Sequence, residues 1–446
     1  MKTLLLFAKA NFIILVNAGS LIGTTVVTSV FGFAYWWLAA RLFPPSAVGF
    51  ASAAISAMML LGTICMLGLG TLLTGELPRQ AAQAGALISA ALITVGAVGG
   101  CIGILLAMVA PLVSVDFQPL RASSLDIMIF ASGVSLTTVT LVLDQALIGL
   151  LRGELQFWRN TLFAVVKLAA LFMGSFWLLH KAGMAIYATW LIGNAVSLLV
   201  LLIFAVKERG TRGMHLPQWQ LLRRLGVAAV QHHILNLVLL APPLILPILV
   251  TIQLSSTENA WFYVSFMLAN FIFGVPYALS TVLYAVSSAQ PAVLAYKARL
   301  TLSISFIISV VAGGVLFFGS ELILGLFGHI YAEQADWCLR ILSFGVFPLI
   351  IVSHYIAICR ARNQIVQAML PITVATLLEV AAAAAGAYLG GLSGLSLGWI
   401  IAVCCKAIYM FPTVYKALQP VDTLPVIQHE SNTVPLVAKR TAQTHT

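Results

Sequence analysis

Ionisable side chains inside long apolar runs are the residues of this sequence with the clearest capacity for chemistry. Asp144, Lys167, Glu379 and Lys406 each lie in an otherwise apolar stretch. Placing such a group in a membrane helix costs roughly 2.5–3.5 kcal/mol on insertion scales, so each should pair with an opposite charge or bind an ion. The six cysteines show no metal-ligand or redox spacing, and no Gly-rich phosphate loop is present. The sequence therefore indicates either ion pairs or ion binding within a membrane, and the cofactor it allows is a coupling H⁺ or Na⁺.

Two ion pairs are predicted from depth in the membrane. Asp144 and Lys167 lie at similar distances on either side of a turn near Gln156, so antiparallel helices would place them at equal depth. Such a pair would pin the two helices together or, alternatively, form a switchable, cation-linked site. The nearest depth-matched cation to Glu379 is Lys406, about one turn closer to the cytoplasm. Without that partner, the Glu379 carboxyl would be suited to bind H⁺ or Na⁺.

Polar side chains also follow one helical face in four of the apolar runs. Their spacing of three, four or seven residues places them on one side of a helix. Small polar residues at this spacing also mediate close helix packing, which is the alternative explanation. Because the four runs occupy matching positions in the two halves of the chain, we expect the stripes to face one another across a substrate cavity. The predicted cavity residues are Asn17, Ser20, Thr24, Thr28, Tyr35, Ser52, Ser56, His232, Asn236, Tyr263, Asn270, Tyr277, Thr281 and Tyr284.

Composition places nearly the whole chain in a bilayer. Of 446 residues, 61% are hydrophobic and only 8% are charged, with a mean hydropathy of +1.04. Soluble domains keep about a quarter of their residues charged, so most of this surface must face hydrocarbon. The apolar runs are continuous over about 20 residues, which predicts helices rather than barrel strands. We predict an all-α polytopic membrane protein with about twelve spans, at 18–40, 47–72, 84–113, 125–150, 161–179, 185–206, 226–251, 260–287, 299–319, 338–358, 367–388 and 392–414.

Lysine and arginine are distributed unevenly between the two sides of these spans. If the N-terminus is cytoplasmic, all but four of the 23 Lys and Arg residues lie on the inner side. The four exceptions are Arg41, Arg121, Lys181 and Arg340. This is the positive-inside bias expected of a chain with both termini in the cytoplasm. The net charge of +10 is then explained by topology, and no nucleic-acid partner is indicated.

A basic connection at the midpoint of the chain divides the spans into two sets of six. Val48–Ala51, at the start of span 2, aligns with Asn259–Phe262 at the start of span 8, and Arg152 aligns with Arg360 at a nearly equal offset. Because six is an even number, both halves enter the membrane from the same side, so the repeat is parallel, about an axis along the membrane normal. We predict a six-helix lobe over 1–206, a basic cytoplasmic linker over 207–225, a second six-helix lobe over 226–414 and a disordered cytoplasmic tail over 415–446.

Three stretches, 36–63, 143–160 and 321–349, carry small residues, Arg and Pro in a recognisable pattern. The stretch 36–63 resembles the first hairpin of bacterial polysaccharide-biosynthesis flippases, which belong to the multidrug/oligosaccharidyl-lipid/polysaccharide exporter superfamily. The stretch 143–160 resembles that family's junction between spans 4 and 5, and 321–349 is similar to its extracytoplasmic turn and span 10. The resemblance covers about residues 15–415. It implies two parallel six-helix lobes in a MATE-like transporter fold, with alternating access to a cavity lined by spans 1, 2, 7 and 8.

The resemblance also implies a function. Such a flippase moves a lipid-linked saccharide precursor of surface polysaccharide, such as O-antigen or lipopolysaccharide, across the bacterial cytoplasmic (inner) membrane. Its partners would be a lipid-linked oligosaccharide, membrane lipids and polysaccharide assembly proteins. A pyrophosphate-linked lipid calls for cations, yet no Arg or Lys lies deep in the four striped spans. Either the phosphates are contacted at the rims, by Arg41, Arg223 and Arg224, or the substrate is not a pyrophosphate-linked lipid.

Two other functions are considered. An ion-coupled multidrug exporter of the same superfamily would need a strong cavity carboxylate, which the four striped spans lack. A membrane-embedded polysaccharide polymerase or acyltransferase would need catalytic groups in a sizeable outer loop. The longest outer connection, 320–337, shows no arrangement of a nucleophile with a base, so enzymatic activity is not expected. His232 lies near the cytoplasmic end of span 7, where a histidine is otherwise simply solvated.

Overall fold

The computed structural model describes residues 12–79, 83–176, 182–209, 219–289 and 293–419. Within these ranges the backbone is almost entirely helical and contains no strand. Continuous apolar sequence favours helices in a bilayer because a helix satisfies each backbone N–H and C=O internally. The side chains of four predicted site residues lie outside the described part of the chain: Asn17, Arg223, Arg224 and His232.

Within the described ranges, ten helices are long and apolar enough to cross a membrane, and a bent helix pair forms a further span. Below, inner and outer ends are named by the predicted orientation. Spans 1 to 10 correspond, in order, to Phe12–Leu42, Pro45–Cys65, Ala84–Val113, Ser124–Gly149, Gly153–Gly174, Ala182–Arg209, Trp219–Gln253, Ser256–Ala289, Leu294–Phe318 and the pair His329–Ser343 with Val346–Ala361.

Spans 11 and 12 are the two arms of one kinked helix, Ile365–Leu418, of 54 residues. A straight helix of that length would measure about 80 Å, far more than the roughly 30 Å hydrocarbon core. Gly390 and Gly391 depart from helical geometry, and Gly391 has a φ of 58°, which glycine adopts without a side-chain penalty. A Cβ on Gly386 would lie 2.1 Å from the Gly394 carbonyl oxygen, so the arms pack back on one another. Counted this way, the described residues account for twelve crossings.

Two helix breaks differ from the predicted spans. The apolar pattern predicts a single segment over 47–72, but span 2 ends at Cys65 and the short helix Leu69–Glu76 follows, after Gly68 at a φ of 77°. Span 10 begins earlier than predicted, with the outer helix His329–Ser343, which is bent by 44° from Val346–Ala361. Hydropathy does not reveal the break after Cys65 because both of its sides are apolar. The outer helix His329–Ser343 is more polar than Val346–Ala361, so the predicted span began only at residue 338.

The spans pack in two groups that follow the order of the chain. In the N-terminal lobe, span 1 packs on span 5, span 3 on span 4, and span 6 on spans 2, 4 and 5. In the C-terminal lobe, span 8 packs on spans 9 and 10, and the hairpin of spans 11 and 12 packs on spans 7 and 10. Span 2 connects the lobes through spans 7 and 8, and most of its residues are buried. Its many alanines, serines and glycines allow this close approach on several sides.

Helix occupies part of the predicted linker and tail. Span 6 continues to Arg209 and span 7 begins at Trp219, so only residues 210–218 of the predicted linker 207–225 lie outside the described residues. The arm that forms span 12 extends to Leu418, a few residues into the predicted tail. Residues from 420 onward are not described.

Candidate functional site

The two lobes meet at backbone level where spans 2 and 8 begin. A Cβ on Gly49 would lie 1.6 Å from the Ser256 carbonyl oxygen, so only glycine permits this approach. Asn259 is fully buried, and its Nδ2 donates to Gly49 O at 2.7 Å and to Ser52 Oγ at 3.0 Å. The two stretches aligned by the internal repeat thus touch each other, as equivalent residues near a two-fold axis do. We call this contact, together with that of span 1 described next, the outer closure.

Span 1 completes the outer closure. Arg41 Nε and Trp37 Nε1 donate to the Leu326 carbonyl oxygen at 2.8 and 2.9 Å. The Trp36 ring packs on the Tyr263 ring of span 8, with centroids 4.5 Å apart. The sequence predicts a phosphate contact for Arg41, but in this conformation its guanidinium is bound to the C-terminal lobe. Arg41 therefore helps to hold the lobes together at their outer ends.

The face of span 8 that meets the N-terminal lobe at the outer closure becomes exposed further inward. Tyr263 contacts Trp36, and Tyr277, about four turns later, lies within about 40° of the same helical face. Tyr277 is 68% exposed, and a Cβ at Gly274 would meet no atom within 4 Å. The face of span 8 that packs on Trp36 at the outer end therefore has no such contact near Tyr277. We infer that spans 1 and 8 diverge towards the inner side. We call the space between their inner halves the inner wedge.

Span 8 provides a polar wall for the inner wedge. Asn270 and Thr281 are exposed, and each is anchored to its own helix: Asn270 Nδ2 donates to Phe266 O at 2.8 Å, and Thr281 Oγ1 donates to Tyr277 O at 2.9 Å. Tyr284, one turn further inward, is 38% exposed. These side chains present further hydrogen-bonding groups and aromatic faces to a molecule in the wedge.

The opposite wall of the inner wedge, on span 1, is apolar. Phe33 and Trp37 face the C-terminal lobe, with the Phe33 ring 6.1 Å from that of Phe271. Val26 and Val30 lie nearer the inner end of span 1, and their angular positions about its axis are within about 20° of that of Trp37. They are 57% and 62% exposed. The inner wedge therefore has one polar and one apolar wall.

The polar stripe of span 1 does not line this wedge, which corrects the sequence prediction. Tyr35 is fully buried in the N-terminal lobe, where its hydroxyl lies 2.7 Å from Thr189 Oγ1. Ser20, Thr24 and Thr28 follow the Tyr35 face and are half-buried, and both threonine hydroxyls donate to carbonyl groups of their own helix. Periodicity shows that residues share a face, but it does not show which neighbour that face meets.

The predicted cavity residues of spans 2 and 7 are placed differently from one another. Ser52 and Ser56 are buried, and Ser52 belongs to the outer closure, so neither is open to a ligand in this conformation. For these two serines, close helix packing explains the stripe. Asn236 of span 7 is exposed.

Asp144 pairs with Arg159 and not with Lys167, contrary to the sequence prediction. Two parallel hydrogen bonds join the groups, at 2.9 Å from Arg159 Nε to Oδ1 and 2.6 Å from a terminal nitrogen to Oδ2. Asn160 Nδ2 donates to the same Oδ2 at 3.1 Å. A planar guanidinium matches a carboxylate in this bidentate manner, which an ammonium does not. Equal depth identified the neighbouring helices but selected the wrong cation, because depth ignores which face each side chain occupies.

Lys167 is consequently left without a carboxylate partner among the described residues. Its Nζ lies 3.9 Å from the ring centroid of Trp190, 4.7 Å from that of Phe163 and 5.0 Å from that of Tyr35. The rings belong to spans 6, 5 and 1, and Lys167 itself is 5% exposed. Cation–π contacts therefore take the place of the predicted ion pair. We call these three rings the aromatic cage.

Glu379 and Lys406 form the pair that the sequence predicts. Lys406 Nζ lies 2.7 Å from Glu379 Oε1, and both side chains are 6% exposed. Lys406 also donates to Thr376 Oγ1 at 3.4 Å. The pair joins the two arms of the hairpin of spans 11 and 12. Because its charge is matched here, Glu379 does not present the unpartnered carboxyl that the alternative, an H⁺ or Na⁺ site, requires.

The model of a family described as polysaccharide biosynthesis protein matches residues 14–284, more than half of the chain. The chain belongs to that family. The match runs from residue 14 in span 1 to residue 284 in span 8 and includes the residues named in both walls of the inner wedge. A comparison with curated proteins gives no match for this chain.

Solved structures that share the fold of this chain include transporters and a flippase. A multidrug resistance MATE family transporter of the MOP superfamily, in an inward-facing conformation, matches with a TM-score of 0.71 and 15% identity, over 88% of this chain and 94% of that one. The lipid II flippase MurJ, inward closed, gives 0.67 and 13%, over 89% and 88%. A Vibrio cholerae MATE transporter gives 0.58 and 16%, over 92% and 97%. At these identities the likeness shows the fold, and it confirms the predicted two-lobed transporter fold.

A cavity of about 1030 Å³ lies at the outer face of the protein, away from the inner wedge. Its lining includes Asp116, Arg121 and Asp126 of the N-terminal lobe and Ser256 of the C-terminal lobe. Ser256 Oγ donates to Asp116 Oδ1 at 2.7 Å, which adds a cross-lobe bond to the outer closure. The sequence pattern did not single out Asp116, Asp126 or Ser256 because they lie in an outer turn or at the outer ends of spans 4 and 8, without a helical stripe.

Proposed function

We propose that this protein translocates a lipid-linked saccharide between membrane leaflets by alternating access. The two unlike walls of the inner wedge carry the proposal. Asn270, Tyr277 and Thr281 offer a saccharide hydrogen bonds and aromatic faces, whereas Val26 and Val30 offer an apolar surface to a lipid tail. A wedge with both kinds of wall suits an amphiphile better than a uniformly polar or apolar solute.

Alternating access requires the outer closure to break while the inner ends of spans 1 and 8 approach. Breaking it separates Asn259 from Gly49 and Arg41 from Leu326. Each such hydrogen bond contributes roughly 0.5–1.5 kcal/mol. The summed contribution of the hydrogen bonds in the outer closure is comparable with the difference between a ligand's binding free energies for two conformations that is needed to shift their equilibrium. Substrate binding in the wedge could therefore drive the change.

Phosphate recognition is assigned to the rims of the cavity. Arg41 is released when the outer closure opens, and its guanidinium then suits the phosphate of a lipid-linked substrate on the outer side. Arg223 and Arg224 would serve the inner side. We place the protein in the bacterial cytoplasmic membrane with both termini in the cytoplasm, where polysaccharide assembly proteins would be its partners. The distribution of Lys and Arg supports this orientation.

The inner wedge is tested with the double variant Asn270→Leu, Tyr277→Leu in cells whose surface polysaccharide depends on this protein. Surface polysaccharide should fall by about tenfold or more, which corresponds to about 1.4 kcal/mol of lost binding. The amount of protein in the membrane should not change, since both side chains are exposed. The matched control is Tyr409→Leu, which removes a tyrosine that is 63% exposed on span 12, outside the wedge. It should leave polysaccharide near the wild-type level.

Full polysaccharide in the double variant at normal abundance would contradict the proposal. The same strains also distinguish the alternative function in this superfamily. Resistance to cationic dyes that the wild type confers and the double variant loses, without any effect on polysaccharide, would assign an ion-coupled multidrug exporter instead.

A further inference from the structure

We propose that Lys167 is a proton-binding site whose charge sets the packing of span 1 against spans 5 and 6. The inference rests on the proposed transport function and names its coupling ion. It stands on geometry: the Lys167 ammonium lies within 5.0 Å of three ring centroids contributed by three spans. No described carboxylate forms an ion pair with it, because Asp144 is bound to Arg159.

Two opposing contributions act on the ammonium form of Lys167. Burial of a charge without a counter-charge is costly, which favours the neutral amine. The aromatic cage offsets this cost, since a desolvated ammonium is attracted to the faces of aromatic rings. The balance depends on the cage being assembled, so a small displacement of one ring changes which form is favoured. Proton binding and cage assembly are therefore linked.

The aromatic cage ties the charge of Lys167 to the position of span 1. Tyr35 is the contribution of span 1 to the cage, and its hydroxyl is held to span 6 through Thr189. When Nζ gives its proton to water, the attraction for the Tyr35 ring is lost and span 1 is freed to shift. Span 1 carries both the apolar wall of the inner wedge and Arg41 of the outer closure. Its movement is therefore the one that alternating access requires.

A proton fits this site better than a larger ion because Lys167 is 5% exposed and itself fills the cage. Two further titratable side chains of the packed spans are engaged. Asp144 of span 4 is bound to Arg159 of span 5, and Tyr187 of span 6 donates to a backbone carbonyl of span 4 at 2.9 Å. Tyr35 is the titratable side chain that lies directly against Nζ.

The site is tested with a permanently charged and a permanently neutral side chain, Lys167→Arg and Lys167→Met, in proteoliposomes. The readout is thiol labelling of Thr28→Cys, on the half-buried face of span 1, divided by that of Val26→Cys on its exposed face. The ratio cancels the pH dependence of thiol reactivity itself. To remove background labelling, the parent protein carries alanine at Cys101, Cys404 and Cys405.

With Lys167 present, the labelling ratio should rise several-fold from mildly acidic to mildly alkaline pH, because loss of the charge frees span 1. Lys167→Arg should keep the low ratio at every pH, and Lys167→Met should keep the high one. The control Lys297→Met removes a lysine beside one tyrosine ring on span 9 and should respond as the parent does. An unchanged pH response in Lys167→Met would overturn the proposal, even if Lys167→Arg does not fold.

This labelling needs no substrate, so its outcome is independent of the proposed flippase function. Translocation is measured separately under an imposed pH gradient. Lys167→Met should lose the acceleration by the gradient and retain a gradient-independent rate, whereas the double variant Asn270→Leu, Tyr277→Leu should lose both. Acceleration that persists in Lys167→Met would overturn the assignment of the coupling ion and leave the flippase proposal standing.

Discussion

At the scale of single residues, the membrane-embedded charges differ in what compensates them. Asp144 and Glu379 are matched by cations at 2.6 and 2.7 Å, whereas Lys167 is surrounded by aromatic rings. A matched buried pair adds little net stability over apolar packing, but the loss of one partner is costly. The two pairs therefore fix which helices adjoin, while Lys167 keeps the freedom to change its charge.

The Asp144–Arg159 pair predicts an asymmetry between single and double variants. Asp144→Asn or Arg159→Met alone should destabilise the protein by about 2–3 kcal/mol, because each leaves a largely buried charge unpaired. The double variant should lose less than either single variant. Thermal unfolding in detergent measures the difference. As a control, Arg79→Met breaks a surface pair whose arginine is 76% exposed and should change stability by less than about 0.5 kcal/mol. A double variant as unstable as the sum of the singles would contradict this account.

At the scale of helices, one face of span 8 packs against the N-terminal lobe at its outer end and lines the inner wedge at its inner end. Its outer part is buried on Gly49 and Trp36, and its inner part is exposed at Tyr277. The hairpin of spans 11 and 12 differs from span 8 because its two arms are bonded to each other. Gly391 allows the bend between the arms, and the Glu379–Lys406 pair joins them. A closed hairpin can move as one unit, whereas the two parts of span 8 must exchange their environments during alternating access.

The hairpin pair predicts that exchanging its charges is tolerated. Glu379→Gln alone leaves Lys406 buried without a counter-charge and should cost about 3–5 kcal/mol. Glu379→Lys combined with Lys406→Glu restores opposite charges and should recover most of the folded protein and its transport. The amount of membrane-inserted protein and surface polysaccharide are measured together. A charge-exchanged protein that folds normally but does not transport would show that Glu379 has an ion-binding role beyond the pair.

At the scale of the whole molecule, the conformation is set by where the two lobes touch. The outer closure draws on spans 1, 2 and 8, and the inner wedge is the space left where spans 1 and 8 separate. Rigid lobes joined at one end are open at the other. The same contacts therefore decide both which side is closed and how much of the polar wall is available.

Gly49→Leu is predicted to destabilise the outer closure, because its Cβ would overlap the Ser256 carbonyl oxygen. The lobes should then spend more time apart at their outer ends, and transport should fall. A membrane-impermeant thiol reagent added from outside should label Ser52→Cys about tenfold faster in the variant, which corresponds to a shift of about 1.4 kcal/mol. Gly314→Leu, where a Cβ would meet no atom within 4 Å, is the matched control. Equal labelling in both glycine variants would contradict the role of this contact.

The helical spans and the parallel repeat were predictable because their determinants are local. About 20 apolar residues in a row must form a helix in a bilayer, whatever surrounds them. Residues 48–51 and 259–262 align in the sequence, and the structure brings Gly49 and Asn259 into contact. The break at Gly68 was not predictable, since both sides of it are apolar. The outer helix of span 10 was largely missed for the opposite reason, because it is more polar than the inner helix.

The amino-acid sequence by itself determined which residues are polar, which share a helical face and which charges must be compensated within a membrane. Only the tertiary structure decided what each face meets. The polar stripe that includes Tyr35 faces the interior of the N-terminal lobe, whereas the stripe that includes Tyr277 faces the inner wedge. Asp144 pairs with Arg159 instead of Lys167. The physical reason is that helical periodicity fixes the angles between side chains on one helix, whereas the rotation of that helix about its axis is fixed by packing against its neighbours.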